Sequence, residues 1–355
     1  MINITEAHSS NIASIPPPKA SLQAKVGSRF FFDPAVSSNG RAKHGAKQRN
    51  ARAALLIAWK VPSKPATHLA KALENQWDCY RKQLKECQKE FSETSVHQLR
   101  VATRRLMTYY TLVSAVVSND KITKARRKLK RQLKILGKLR DAQVQRNFIE
   151  QQMTQFPFLV LVRDSLRGRE HHLVKGIADE VCHFKNRKLE HWTSELFEEL
   201  RGWPEQTEKG NLFATALFRA VTNAFRQTVY CRQAIDPADV QTLHRTRVAF
   251  KKFRYMVEAL SPRFTGLNKR HLRRLGTYQR RMGNLQDLEI LQEWVGRFLR
   301  EHPARKESFM PFSRHLHLLQ DRALRACLKH ADALFEFWDW SFEQRESAPQ
   351  SRTAA

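Results

Sequence analysis

Glycine and proline are scarce in this chain of 355 residues, with 12 and 13 copies. Strands joined by tight turns need both at their connections, and helix interiors reject both, so the scarcity favours long helices. No stretch alternates apolar and polar residues for the length of a useful strand. No run of about 18 apolar residues occurs, so no membrane-spanning helix is expected. The N-terminus lacks a charged segment followed by an apolar one, so no secretory signal is expected. Cys79, Cys87, Cys182, Cys231 and Cys327 are odd in number and show no CxxC spacing. That pattern fits neither a disulfide framework nor a zinc site, and points to free thiols in a reducing cytoplasm. No GxxxxGK[ST] loop is present, which removes the commonest nucleotide-phosphate cradle.

Acidic residues are also in short supply. There are 34 Asp and Glu against 63 Lys and Arg, a net charge of +29. The excess runs along the whole chain and costs self-repulsion unless an anion relieves it. The expected partner is therefore a polyanion: nucleic acid, an anionic membrane surface or polymeric phosphate.

What is present is mostly helical pattern. Residues 1–60 read as a flexible basic arm, with Pro16, Pro17 and Pro18 in a row and one apolar patch at Phe30–Phe32. From about Lys64, Leu69, Leu73, Trp77, Tyr80, Leu84 and Phe91 recur at helical spacing. A second helix is expected from near Ser95. A third is expected from Ile122 to about Leu136, where Gly137 is placed to cap it and Asp141 to open the next. A long helical stretch follows Pro157 towards Leu200. Gly202-Trp203-Pro204 marks the joint between a first half, 64–202, and a second, 210–340. The second half predicts helices near 211–231, 237–260, 267–282, 287–300 and 311–333. Asp236-Pro237 is read as a capped helix start and Asp287 as another N-cap. Residues 344–355 read as a frayed polar tail.

The two halves echo each other. Residues 97–107 read HQLRVATRRLM and residues 244–254 read HRTRVAFKKFR, 147 residues apart. GKLRDAQV from Gly137 and GNLQDLEI from Gly283 are 146 apart. Such a repeat sets the architecture. On a helical wheel His97, Arg100, Arg104 and Thr108 share one face, with Leu99, Leu106, Tyr110 and Val113 opposite. His244, Arg247, Lys251, Arg254 and Tyr255 fall on the same face of the second copy, and Phe250, Phe253, Val257 and Leu260 lie opposite. Arg105 and Lys252 flank the basic faces. The third helix of each half adds a stripe: Arg127, Arg131, Lys134 and Lys138, then Arg273 and Arg280.

Arginine presents a planar fork of donors that fits phosphate oxygens in pairs and stays charged. Lysine adds a mobile point charge, and histidine beside an anion gains a proton more readily. Spacing of three or four residues sets these heads about 5–6 Å apart along a helix. Apart from Tyr255 no aromatic residue is interleaved, which tilts the reading towards phosphate without bases. The plainer reading is a solvated basic face, with Asp141, Glu258 or Asp287 as local partners. Repetition at the same angular positions favours the anion site. His171-His172 and His315-Leu-His317 lack metal-site spacing.

At these residues the chain resembles the CHAD family, the conserved-histidine α-helical domain. The carriers are His97, Arg100, Arg104, Arg105 and Gly137…Asp141, then His244, Arg247, Lys251, Lys252, Arg254, Tyr255 and Gly283…Asp287. The resemblance spans about residues 64–340. It implies an all-α domain of two antiparallel four-helix bundles related by a pseudo-twofold axis. It also implies non-catalytic binding of inorganic polyphosphate by those His, Arg and Lys residues, joined by Arg127, Lys134, Lys138, Arg273 and Arg280. No cofactor and no metal are expected. Met107 stands where Arg254 stands in the second copy, so the first half should contribute less there. Some relatives carry a triphosphatase domain with an ExExK strand motif, which this sequence lacks. Three other readings stay open: a nucleic-acid-binding helical protein, an enzyme of phosphate metabolism, and a scaffold at polyphosphate granules or membrane surfaces. The expected location is cytoplasmic, with granules as an added site.

Overall fold

The computed structural model describes residues 62–184, 186–204, 208–261 and 268–338, all within the compact unit Arg49–Ala355. The basic arm, the Phe30–Phe32 patch and the polar tail lie outside the described residues. Within them there is no strand.

The chain runs α1 (Pro65–Lys89), α2 (Glu93–Val113), α3 (Asp120–Gln152), α4 (Val160–Cys182) and α5 (Arg187–Arg201). It continues with α6 (Glu208–Gln233), α7 (Val240–Leu260), α8 (Lys269–Glu301) and α9 (Lys306–Lys329), with short 3-10 turns before α4 and α9 and after α9. Short polar side chains open several of them. Ser92 accepts from the Ser95 amide, Asn119 from Lys121, Asp239 from Gln241 and Asn268 from His271. Each satisfies a donor that a helix start leaves free.

Sequential neighbours pack together, α1 on α2, α2 on α3, α3 on α4, then α6 on α7, α7 on α8 and α8 on α9. The halves meet through like-placed helices: α1 on α6, α2 on α7 and α3 on α8. The main core gathers one face from each, including Leu73, Trp77, Tyr80, Leu99, Leu106, Phe225, Phe250 and Phe253. A second core lies towards the C-terminal ends of α3 and α8, where Ile149, Leu159, Val162 and Leu166 join Leu291, Trp294, Phe298, Phe309 and Phe312. At 33 residues each, α3 and α8 reach about 50 Å and serve both cores.

One contact recurs in both halves with different chemistry. In the first, the Thr103 hydroxyl on α2 donates to Gln132 Oε1 on α3 at 3.4 Å, and the Tyr80 hydroxyl on α1 donates to the same oxygen at 3.2 Å. The positions 147 residues after Thr103 and 146 after Gln132 are Phe250 and Tyr278, whose rings lie 4.5 Å apart. A buried polar node has become an aromatic one, with the helix pairing unchanged.

The structure corrects four expectations. Gly137 and Asp141 do not divide two helices: α3 runs unbroken through both, and α8 runs unbroken through Gly283 and Asp287. A glycine inside a helix costs about 1 kcal/mol, but Leu136, Leu139 and Ile149 keep the apolar face in register and are fully buried. Each contributes about 1.5–3 kcal/mol by that burial, so continuation wins. The helical stretch after Pro157 divides into two helices, α4 and α5. α4 ends at Cys182, where Gln88 Nε2 donates to the carbonyls of Val181 at 2.9 Å and Cys182 at 3.3 Å. Those terminal carbonyls would otherwise lack partners. Asp236 opens a turn, accepting from the Ala238 amide, while Asp239 caps α7.

Because Gly137 and Gly283 are interior and not left-handed caps, replacing them has a predictable sign. An added Cβ at Gly137 would stand 3.7 Å from Arg100 Nη1, and at Gly283 3.9 Å from Arg247. Both are ordinary contacts. Gly137→Ala and Gly283→Ala should each raise unfolding free energy by up to about 1 kcal/mol. Denaturant titration checks this, and a loss of stability would restore the cap.

Candidate functional site

The site lies where α2 packs on α7. The apolar sides of both helices are committed to the core through Leu99, Leu106, Phe250 and Phe253. That leaves the cationic sides of the two helices to converge. Arg100 and Arg104 come from α2, and Arg247, Lys251 and Arg254 from α7. All five are half-buried.

Arg100 is the most firmly held. Its Nη1 donates to the Leu133 carbonyl of α3 at 2.8 Å. Leu133 lies four residues before Gly137, so this carbonyl is the helical partner of the glycine amide. Arg247 makes the corresponding approach to α8 over Gly283, yet its Nε is buried without a hydrogen-bond partner among the described residues. Arg254 donates to Glu258 at 2.6 Å. Glu258 also stands 4.0 Å from Arg105, which ties α7 to α2 at the edge of the cluster. Nearby, the Tyr109 hydroxyl donates to the Ala259 carbonyl at 3.3 Å.

The protonation equilibria record how crowded this charge is. Burial pushes the Lys251 ammonium down to about 7, and Arg104, Arg247, Arg100 and Arg254 push the same way. Burial also lowers Arg100 to about 10, with Arg104 and Arg140 adding repulsion and Asp141 opposing it. Arg104 is lowered by burial and by Arg247, partly offset by Tyr255. His97 falls below its ordinary value through burial and through Arg140, Arg104 and Arg100, with Glu93 opposing. The ligand-free site therefore disfavours the charged histidine that the sequence suggested.

Two carboxyls face the cluster from the long helices. Asp141 on α3 feels Arg100, Arg169, Arg104 and Arg140, and Asp287 on α8 feels Arg247, Arg140, Asp141 and Lys251. Removal from water outweighs those cations and lifts both above the ordinary carboxylate value. Neither forms an ion pair within 4.0 Å with a described residue. Beside Asp287 a cleft of about 490 Å³ opens between α3, α8 and α9, with Glu93, Arg140 and Asn147 at its polar side and Val144, Phe148 and Leu291 at its apolar side.

The sequence-predicted residues divide accordingly. Arg100, Arg104, Arg247, Lys251 and Arg254 come together, with His97 beside them and Arg105 at the margin. His244 is held by a hydrogen bond between its Nδ1 and Gln286 Oε1, in a recess with Arg247, Glu289 and Cys327. Arg127, Lys134, Lys138, Lys252, Arg273 and Arg280 are exposed on their helices, and no described interaction draws them into the cluster. Sequence reasoning missed Arg140, which donates to Glu93 at 2.8 Å while acting on His97 and Asp287. It also missed Arg169, which acts on Asp141 and donates to Gln145 at 3.1 Å. Arg140 lies two residues past Lys138, about 200° round α3 from the cationic stripe, so the stripe does not mark it. Nothing in the pattern of α4 marks Arg169. Among the described residues no group of three or more His, Cys, Asp or Glu could hold a metal ion, and no helix is long and apolar enough to cross a membrane.

Comparison with known proteins agrees with this architecture. The crystal structure of the CHAD domain from the plant Ricinus communis covers 78% of this chain and 94% of its own, with a TM-score of 0.55 at 18% identity. PptA from Streptomyces chartreusis covers 77% of this chain and 97% of its own, with a TM-score of 0.41 at 13% identity. No curated protein matches the sequence. The sequence model of the CHAD domain matches residues 71–296, which include both repeated helices and both Gly…Asp elements. The chain belongs to the CHAD domain family.

Proposed function

We propose that this protein binds inorganic polyphosphate, without catalysing its turnover, in the trough between α2 and α7. The observation that carries this reading is the convergence of Arg100, Arg104, Arg247, Lys251 and Arg254 at one helix contact, where burial, joined by the neighbouring guanidiniums, brings Lys251 down to about 7. A packed protein interface that concentrates one charge is relieved by a ligand of the opposite charge. Guanidiniums pair with phosphate oxygens two at a time, and heads about 5–6 Å apart along a helix suit successive groups of a flexible polymer. Tyr255 is the aromatic residue at the cluster, its ring 5.8 Å from the Arg254 guanidinium. Base-stacking platforms, which single-stranded nucleic acid uses, are otherwise lacking among the residues of the cluster. Nucleic acid is accordingly the weaker ligand. The proposed place of action is the cytoplasm, at granules where the polymer accumulates.

Arg104→Ala and Arg247→Ala should each weaken polyphosphate binding by about 10- to 100-fold, the range for losing a charge-assisted hydrogen bond. Their melting temperatures should hold or rise, because each removal relieves repulsion. Titration calorimetry with circular dichroism reads both, and loss of fold would mark the residues as structural. In competition at fixed salt, long-chain polyphosphate should displace DNA at lower phosphate concentration, and no orthophosphate should appear. DNA winning would overturn the ligand, and released orthophosphate the non-catalytic reading.

The pH dependence has a definite sign. An anion restores the proton on Lys251, so binding takes up a proton near neutrality. Affinity should fall as pH rises from about 6 to about 8.5, and Lys251→Arg should flatten that profile. Without ligand, the folded state holds fewer protons than the unfolded state between about 7 and the ordinary lysine value near 10.5. Stability of the free protein should therefore rise across that interval. Calorimetry in buffers of different ionisation enthalpy, and melts across the same range, check both.

A further inference from the structure

Lys251 has a second chemical consequence. A lysine amine is a nucleophile only in its neutral form, and most lysines at neutral pH are almost wholly protonated. Here Arg247 stands one helical turn before Lys251 and Arg254 one turn after. Arg100 and Arg104 face it across the helix contact. The amine is half-buried, not sealed. The surrounding guanidiniums that disfavour its protonation are also donors suited to a phosphate dianion. A reagent that joins an electrophilic carbon to a phosphate leaving group would find both needs met at one place.

We infer that Lys251 is a site of self-acylation by small acyl phosphates, with the arginines around it binding the phosphate portion of the donor. The Lys251 Nζ lone pair attacks the acyl carbon and a C–N bond forms. The C–O bond to phosphate breaks, and its electron pair leaves on the phosphate oxygen. The departing phosphate takes the amine proton and dissociates as hydrogen phosphate. The product is a neutral N-acyl lysine and no oxidant or reductant is needed. The depressed proton affinity at Lys251, to about 7, leaves the amine largely neutral at pH 7.5. Asp287 lies in the same field, and it and the phosphate of the bound donor both favour the protonated amine. Burial and the four arginines still leave Lys251 a larger neutral fraction than an ordinary lysine. Acylation removes the amine that an anion would protonate at the centre of the cluster, and so acts as a switch on anion binding. This regulatory consequence rests on the polyphosphate reading, but the acylation itself needs only that the cluster bind a phosphate dianion.

The test uses the full chain and acetyl phosphate at pH 7.5, with site occupancy followed by peptide mass spectrometry. Lys252 is the internal reference, being the exposed next residue on the same helix. The larger neutral fraction of Lys251 is partly offset by the lower intrinsic nucleophilicity of a weaker base, which leaves a preference of about tenfold. Lys251 should therefore be acetylated at least about tenfold faster than Lys252. The preference should shrink several-fold with p-nitrophenyl acetate, which lacks phosphate, and in Arg104→Ala. Added polyphosphate should protect Lys251, and the acetylated protein should bind polyphosphate at least about tenfold more weakly. Equal labelling of Lys251 and Lys252 by acetyl phosphate, in protein that binds polyphosphate normally, overturns the inference alone. Preferential labelling of Lys251 in protein that does not bind polyphosphate supports the acylation and overturns the proposed ligand instead.

Discussion

The packing of α2 on α7 holds together a set of cations that would separate in water. Fixing five positive side chains in one place is unfavourable by itself, and the apolar sides of the same helices supply the compensation. Leu99, Leu106, Phe250 and Phe253 are fully buried, and each contributes about 1.5–3 kcal/mol by leaving water. Because a helix carries its polar and apolar faces rigidly together, the core cannot form without the cations being brought together as well. Lys251 and Arg100 both hold their protons less tightly than free side chains do, first because they are removed from water and then because their cationic neighbours repel them. The long helices α3 and α8 complete the arrangement. They carry the glycines over which Arg100 and Arg247 lie, and the aspartates that face them.

The arginines are not equivalent within this frame. Arg100 has one donor committed to the Leu133 carbonyl, which orients the guanidinium and leaves its other donors for a ligand. Arg254 is engaged by Glu258, so a phosphate must compete with a carboxylate to recruit it. Arg104 has no ion-pair partner among the described residues, and Arg247 has an unpaired buried Nε. Those two have most to gain from an anion, since an unmet buried donor costs about 1–3 kcal/mol. The trough has a firm side at Arg100 and an open demand for oxygen atoms at Arg104 and Arg247.

Much of this was legible from residue spacing. The helix positions, the burial of Leu69, Leu73, Trp77, Tyr80 and Leu84, and the cationic faces of α2 and α7 follow from a 3.6-residue period. The cap expected at Gly137 did not hold, because glycine often ends a helix but is also tolerated inside one when the apolar face continues beyond it, as Leu139 and Ile149 do here. Lys134, Lys138, Arg273 and Arg280 are exposed on α3 and α8; a wheel shows that they share a face of one helix, and exposure leaves them open to a ligand. Arg169 was invisible because its relation to Asp141 crosses from α4 to α3 with no repeat to mark it.

Asp141 and Asp287 pose the remaining question, since a site for anions would be expected to exclude carboxylates. Their placement answers it. Each stands within the field of several arginines, yet neither closes to an ion pair within 4.0 Å with a described residue. A closed pair would lock the arginine and force a ligand to break it. A carboxylate held at a distance lowers the repulsion among the cations and leaves their hydrogen-bonding edges free. Asp141 and Asp287 thus temper the charge of the cluster without closing on any one of its arginines, so its attraction for an anion is preserved.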